Sequence, residues 1–501
     1  MQDRLELMEK GLDQPSNPDQ ALDALLEKAR TGRLSAAERL KIPPQPMPQL
    51  DPVARRRSMQ EVAVGYTEQQ AKWEALRCLQ CKRPSCVEGC PVRIQIPQFI
   101  SCIVEGRYDR ALAIIKQTSL LPAVCGRVCP QEVQCQQACV LCKRFGDPFK
   151  AVSIGRLERF VADQARSSDE IPKVDRPTGK KVAIVGSGPG GIVAAADTRR
   201  AGHEVTIFEA FHMPGGVLVY GIPEFRLPKA IVQQEIDVLV RMGVKIIPNF
   251  VVGKTRTIQQ LLQEDGFDAV YIGVGAGLPR FMGIEGESLV GVYSANEYLT
   301  RANLMKAYMF GDCADTPIAK ARNVAVIGGG NVAMDAARMA IRLGAERVYL
   351  VYRRTEAEMP ARREEVHHAR EEGVEFLFLQ SPQRIIGDDL YHVRAIECIH
   401  YQLGQPDRSG RPRPIPILDA RSVLEVDMVI VAIGNVAHPL IRQTTAGLQF
   451  NETGNIIVDE HCRTSMARVY AGGDIVLGAA TVILAMGQGR IAAASINEDL
   501  A

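Results

Sequence analysis

Twice in this chain a short apolar run leads into a glycine-rich turn and then into a helix of small residues. No other feature limits the fold as strongly. Lys181-Val-Ala-Ile-Val185 precedes Gly186-Ser-Gly188-Pro-Gly-Gly191, and Asn323-Val-Ala-Val-Ile327 precedes Gly328-Gly-Gly330-Asn-Val-Ala333. Each unit then returns through a second strand-like run, Val205-Thr-Ile-Phe208 in the first and Val348-Tyr-Leu-Val-Tyr352 in the second. A glycine motif alone is weak evidence; a strand before it and a helix after it make it informative. The first glycine permits a tight turn, the second lets a pyrophosphate approach the backbone, and the third position lets helix pack on strand. The helix amino terminus supplies N–H donors. The pattern predicts an α/β fold with two Rossmann-like dinucleotide-binding domains, as in the two-dinucleotide-binding flavoproteins.

The two units differ where nucleotides are told apart. Glu209 ends the second strand of the first unit, placed to accept a hydrogen bond from an unphosphorylated ribose, as in FAD or NAD. In the second unit Ala333 stands at the third glycine position and Arg353-Arg354 where the acid would be. A guanidinium pairs with a 2'-phosphate that an acid would repel, so NADP(H) is favoured there. The bland alternative is a structural pair of units with solvated arginines. Further on, Val469-Tyr-Ala-Gly-Gly473-Asp474 leads into Gly478-Ala-Ala-Thr481 and a small-residue helix containing Gly487 and Gly489. In two-dinucleotide flavoproteins such an acid binds the ribityl chain, and the helix points its amino end at the pyrimidine edge. A lone Gly-Gly-Asp is a turn; its place after two glycine motifs gives it weight.

Length and charge set the remaining bounds. At a prior of roughly 150 residues per domain, 501 residues suggest about three domains. Sixty basic and 58 acidic side chains leave a formal charge of +2, so no global electrostatic case exists for nucleic acid or an anionic membrane. The opening MQDRLELMEK lacks a signal-like apolar core, and no apolar run approaches the roughly 18 residues of a spanning helix, which places the expected site of action in the cytoplasm.

In that compartment cysteines point to ligation before disulfides. Of thirteen, ten lie between Cys78 and Cys142. They form two runs, Cys78-x2-Cys81-x4-Cys86-x3-Cys90-Pro91 and Cys125-x3-Cys129-Pro130-x4-Cys135-x3-Cys139-x2-Cys142. A Cys-Pro closing a run is a feature of two-cluster ferredoxins, although the spacing is not theirs. Zinc is the alternative, because paired Cys-x2-Cys elements also suit tetrahedral sites. A flavin beside the block favours iron–sulfur, since zinc cannot carry electrons away from it.

The order of cysteine block, two glycine motifs and Gly-Gly-Asp, together with CLQCKRPSCVEGCPV, LPAVCGRVCP, GGVLVYGIPEFRLPK and YRRTEAEMPARREEV, resembles the small subunit of NADPH-dependent glutamate synthase. The same module occurs in the large subunit of NADH-dependent ferredoxin:NADP oxidoreductase and at the amino end of dihydropyrimidine dehydrogenase. The resemblance runs from about residue 50 onward. It implies one [4Fe-4S] cluster on Cys78, Cys81, Cys86 and Cys139, and a second on Cys90, Cys129, Cys135 and a non-cysteine ligand, for which Glu158 of GRLERF stands at the matching place. Cys102, Cys125 and Cys142 are left over, and Cys142 departs from the family pattern. Gly216 joins the FAD-binding residues.

The expected domains are a helical extension with a proline-rich connector (1–52), an α-helical iron–sulfur domain (53–176), an FAD-binding domain in two segments (177–290 and 428–501) and an NADP(H)-binding domain between them (291–427). Residues 3–40 carry helix-like spacing, Ile154–Ala165 a helical pattern, and 166–180 a linker. Cys313, Cys398 and Cys462 are isolated, so no redox pair for a thioredoxin-reductase-like activity exists. The expected function is electron transfer from NADPH through FAD and two clusters to a partner, the glutamate synthase large subunit, in a hetero-oligomer. The rival enzyme is a ferredoxin:NADP oxidoreductase large subunit with its small subunit as partner, and the rival class is a scaffold with vestigial sites. Hydride transfer requires no side-chain base, so no catalytic residue is assigned.

Overall fold

The computed structural model describes residues 18–165, 171–407 and 410–501. The expected helical spacing over 3–17 and part of the linker lie outside the described residues. Two compact units emerge among the described residues, one formed by 18–48, 65–127 and 131–165, the other by 49–64, 128–130, 171–407 and 410–501.

The first unit is helical. Its longer helices are Pro18–Arg30, Glu68–Leu76, Ile96–Val104, Tyr108–Lys116 and Ile154–Gln164. Thr67 starts one of them through a capping box with Gln70, each side chain closing the other's backbone N–H. A buried carboxylate ties these pieces together. Glu74, fully buried, pairs with Arg77 at 2.5 Å and accepts from the backbone N–H of Gln45 and of Ser153, each at 2.8 Å. Arg77 also donates to the carbonyls of Lys150 and Ala151. The proline-rich connector and the loop before Ile154–Gln164 are thus fixed on one ion pair.

The second unit is built on two five-stranded parallel sheets. The first has the spatial order Val469–Ala471, Ala269–Ile272, Lys181–Val185, Glu204–Phe208, Lys245–Ile247. The second has the order Val292–Ser294, Met428–Val431, Asn323–Ile327, Arg347–Tyr352, Glu375–Phe378. Their central strands are buried after the first residue, because helices cover both faces and β-branched residues fill them. A three-stranded antiparallel sheet, Gln380–Gly387, Val393–Pro406 and Pro412–Glu425, extends the second domain.

Two boundaries differ from those expected from the sequence. Met428–Val431 pairs in parallel with Asn323–Ile327, so the second sheet ends beyond 427 and the chain rejoins the first only at Val469. Gln49–Val64 groups with the second unit: Val62 N donates to Phe225 O, and Arg55, 1% exposed, pairs with Glu371 and Glu372. No helix among the described residues is long and apolar enough to cross a membrane.

Candidate cofactor sites

In the helical unit, loop 78–90 folds against the short helices Cys135–Ala138 and Val140–Phe145. Ser85 Oγ donates to Ala138 O at 2.6 Å, and a Cβ on Gly89 would come within 2.6 Å of the Ala138 Cβ, so only glycine allows this approach. Arg39 Nη1 holds the carbonyls of Leu76 and Cys78 at 2.9 Å each. The result gathers Cys78, Cys81, Cys86 and Cys139 around one pocket, lined also by Leu79, Pro97, Leu141 and Val152. All four cysteines are free thiols. Burial, and then the neighbouring thiols, push Cys78 and Cys86 up to about 12. Crowded thiols of this kind ionise only when a metal's positive charge compensates them, which fits a metal–sulfur centre.

The remaining cluster candidates centre on the helix Ile154–Gln164. Glu158 is 6% exposed, its Oε1 has no hydrogen-bond partner, and burial pushes its carboxyl up to about 8. Burial raises Cys90 and Cys135, and the Glu158 charge raises both further, with Cys125 adding to it at Cys90 and Cys90 and Cys86 at Cys135. An orphaned buried carboxylate oxygen costs about 1–3 kcal/mol unless something binds it. Two buried thiols and this oxygen therefore fit an iron–sulfur centre with mixed ligands. Cys129 is also buried, in the stretch 128–130 that groups with the second unit. Of the spare cysteines, Cys142 is buried and near enough to Cys139 for its thiol to be raised by it, after burial. Cys102 and Cys125 are buried in helices Ile96–Val104 and Pro122–Val128.

In the first parallel sheet the glycine-rich turn has the geometry its sequence implies. Gly186 has φ +99°, and a Cβ on Gly191 would come within 2.0 Å of the Gly186 carbonyl oxygen. Gly188 caps the helix Pro189–Arg200 with open space beside it. Glu209 is 5% exposed and accepts from Ser187 N at 2.9 Å, from Phe211 N at 2.8 Å and from Ser187 Oγ. Ser187 Oγ accepts from Gly215 N, which brings Gly216 onto the turn. These bonds fix the Glu209 carboxylate against the glycine-rich turn.

The carboxy-terminal elements complete this site. Burial pushes Asp474 up to about 6, against a lowering hydrogen bond from the Ala480 backbone. Gly473 N donates to Gln488 Oε1 at 2.8 Å. Thr481 caps the helix Val482–Asp499, and its Oγ1 is buried without a partner, an orphan that a flavin would satisfy. That helix crosses Pro189–Arg200 at two glycines: a Cβ on Gly489 would meet Gly190 O at 2.2 Å.

In the second sheet Gly328 and Gly330 form the turn, and Gly330 caps the helix Asn331–Arg342. Ala333 is fully buried, so its methyl is accommodated where the first unit has glycine. The two arginines diverge. Arg353 is exposed at the end of Arg347–Tyr352, whereas Arg354 is 4% exposed, donating to Asp407 Oδ2 at 2.7 Å and Pro412 O at 2.8 Å. Sequence reasoning assigned no role to Ser187, Asp407 or Arg226. Ser187 sits inside the glycine motif, and Arg226 inside PEFR, so both carried a signal; Asp407 carried none.

Comparison with known proteins agrees with both halves. Residues 55–170 match the family described as dihydropyrimidine dehydrogenase domain II, 4Fe-4S cluster, and residues 180–489 match the pyridine nucleotide-disulphide oxidoreductase family. The glutamate synthase [NADPH] small chain of Halomonas elongata is 38% identical over 456 residues, 89% of this chain and 95% of that protein. The NADP(+)-dependent formate dehydrogenase subunit beta of Moorella thermoacetica is 38% identical, over 83% of this chain and 60% of that protein. The structure of Mycobacterium tuberculosis FprA in complex with NADPH shares the fold at a TM-score of 0.54, 22% identical, covering 65% of this chain and 85% of that one. With a 4Fe-4S domain ahead of a pyridine nucleotide oxidoreductase domain and near-full-length similarity to the small chains, this chain belongs to the glutamate synthase small-chain family of iron–sulfur flavoprotein oxidoreductases.

Proposed function

We propose that this chain takes electrons from NADPH through FAD and two [4Fe-4S] clusters and delivers them to a larger partner subunit, as the small subunit of a glutamate synthase. The observation that carries the reading is the pocket walled by Cys78, Cys81 and Cys86 of one loop and Cys139 from some fifty residues further on. These four would hold one cluster; Cys90, Cys129, Cys135 and Glu158 would hold the other. Gly186, Gly188, Gly191, Glu209, Gly216, Gly473, Asp474 and Thr481 would bind FAD, and Gly328, Gly330, Ala333 and Arg353 would bind NADP(H), with Arg354 bracing that site through Asp407 and the Pro412 carbonyl.

When bound, FAD supplies the change from two-electron hydride exchange to single-electron exchange that a nicotinamide and a cluster cannot make with each other. The chain's own work is positional. Glu209, oriented by the Ser187 and Phe211 amides, would accept from the ribose hydroxyls. The amino end of Pro189–Arg200 would supply N–H donors and a dipole to the pyrophosphate, and that of Val482–Asp499 would do the same for the flavin. Arg353 is the exposed cation available to a 2'-phosphate. The relatives named small chain and subunit beta support a hetero-oligomer with a larger subunit. The cytoplasm remains the proposed compartment.

The test is affinity purification of the tagged chain from its own cells under anaerobic conditions. The expected result is a co-purifying large subunit and NADPH-dependent glutamate formation from glutamine and 2-oxoglutarate. A complex that reduces ferredoxin with NADPH and forms no glutamate would contradict the proposal.

A further inference from the structure

The stretch Gly215–Lys229 begins against one dinucleotide-binding turn and ends inside the domain that holds the other. At its start a Cβ on Gly216 would come within 2.7 Å of the Gly188 Cα, so the stretch presses on the first glycine-rich turn with no room between. Tyr220 follows, half-buried and near enough to Asp474 and Glu209 to feel their charge. The carbonyls of Tyr220 and Gly221 then accept from Asn303 Nδ2 at 3.3 and 3.1 Å, and Asn303 ends the helix Ala295–Asn303 of the second domain.

Phe225 and Arg226 make the far end. Phe225 is fully buried in the core of the second domain beside Ala333 and Met334, with the Arg342 guanidinium 3.9 Å and that of Arg338 4.7 Å from its ring centroid. Arg226 Nη1 donates to both oxygens of Asp335, at 2.8 and 2.7 Å, and its Nε stands 3.3 Å from Glu365. Asp335 belongs to the helix Asn331–Arg342, whose amino end is the second glycine-rich turn. Around these, Arg338 pairs with Glu365 and with Glu372 at 2.8 Å, Arg342 with Glu372 at 2.6 Å, and Arg55 with Glu371 and Glu372 at 2.6 and 3.0 Å. Four guanidinium groups, on Arg55, Arg226, Arg338 and Arg342, face four carboxylates, on Asp335, Glu365, Glu371 and Glu372. Glu371 is exposed and Arg342 half-buried, while the other six are buried, and a network so matched tolerates little displacement, since moving one buried member strands another without a partner.

We propose that Gly215–Lys229 is a positioning link between the two nucleotide sites, with Arg226 as its positioning residue, fixing the NADP(H)-binding helix relative to the FAD-binding turn so that hydride transfer proceeds without a domain rotation. The inference rests on the functional reading above. In the step it serves, a hydride with both its electrons leaves nicotinamide C4 and adds at flavin N5. NADPH becomes NADP⁺, and the reduced flavin takes up at most one proton, from solvent. Arg226 touches neither reactant. It acts through Asp335, and a shift of the order of 1 Å in the helix costs on the order of 100-fold in rate.

The experiment compares the FAD-loaded full-length chain with Arg226→Gln and Arg226→Lys. Three readouts are taken: flavin bleaching at saturating NADPH in anaerobic stopped flow, the Kd for NADP⁺, and backbone hydrogen exchange without nucleotide. For Arg226→Gln the expected result is a rate lower by about 10- to 100-fold, with FAD retained and Kd within about threefold. Exchange should rise in 216–228 and in the first turn of Asn331–Arg342. Arg226→Lys keeps the charge without the two-oxygen grip and should show an intermediate rate and exchange; it alone decides if Arg226→Gln does not fold. Rates and exchange within twofold of wild type overturn the proposal, as does a rate lost only together with FAD or NADP⁺ binding. Wild-type protein whose flavin NADPH does not bleach would instead overturn the functional reading.

Discussion

Replacing Arg353 alone should separate NADPH from NADH. Arg353 and Arg354 are neighbours in sequence, but only the first is exposed; the second is committed to Asp407 and the Pro412 carbonyl. A charge-assisted contact to a 2'-phosphate contributes about 1.5–3 kcal/mol, and about 1.4 kcal/mol is tenfold in Kd. Because Arg353 is solvated before nucleotide arrives, the lower part of that range applies. Arg353→Gln should therefore raise the Kd for NADPH by about 10- to 30-fold and leave NADH within about twofold. Arg354→Gln takes a partner from a half-buried carboxylate and a carbonyl. It should lower stability by about 1 kcal/mol and weaken both nucleotides alike. The assay is an anaerobic titration of flavin absorbance with each nucleotide. A selective NADPH defect in Arg354→Gln, with Arg353→Gln unaffected, would refute the reasoning.

Glu158→Ala should lower the occupancy or alter the EPR signal of one cluster while FAD content and flavin bleaching by NADPH stay near wild type, and Glu158→Cys should retain the cluster at a changed potential; unchanged spectra would move attention to Cys142. Gly191→Ala forces a methyl into the Gly186 carbonyl, at a cost of about 1–3 kcal/mol, and should be read out as lost flavin on purification. His368 is held at about 4 by burial, against an ordinary 6.5, although Glu365 opposes the shift. Its stabilising contribution is thus full above about pH 6.5 and is lost as pH falls towards 4, by about 3 kcal/mol. His368→Leu should flatten the fall of melting temperature across that window; an unchanged slope would contradict the assignment.

The two nucleotide-binding units were legible because a buried parallel strand and a small-residue helix leave local signatures on either side of a glycine turn. Glu209 and Asp474 followed from their places after those turns. What escaped was non-local. Met428–Val431 reads as one more apolar run, and nothing in it names Asn323–Ile327 as its neighbour. Gln49–Val64 has no periodicity to reveal that Arg55 is buried against an acidic helix end. Arg354 looks equivalent to Arg353 until the antiparallel sheet brings Asp407 across from 53 residues away. The cavity of Cys78, Cys81, Cys86 and Cys139 was anticipated through family resemblance; spacing alone left Cys139 and Cys142 interchangeable.

Anaerobically purified protein, assayed for flavin, iron, acid-labile sulfide and zinc and then followed by EPR during reduction with NADPH, tests the central claim most directly. The account predicts about one FAD and about eight iron and eight sulfide per chain, with NADPH bleaching the flavin and bringing up the signal of at least one reduced [4Fe-4S] centre. Stoichiometric zinc with little iron, or flavin that NADPH leaves oxidised, would contradict it.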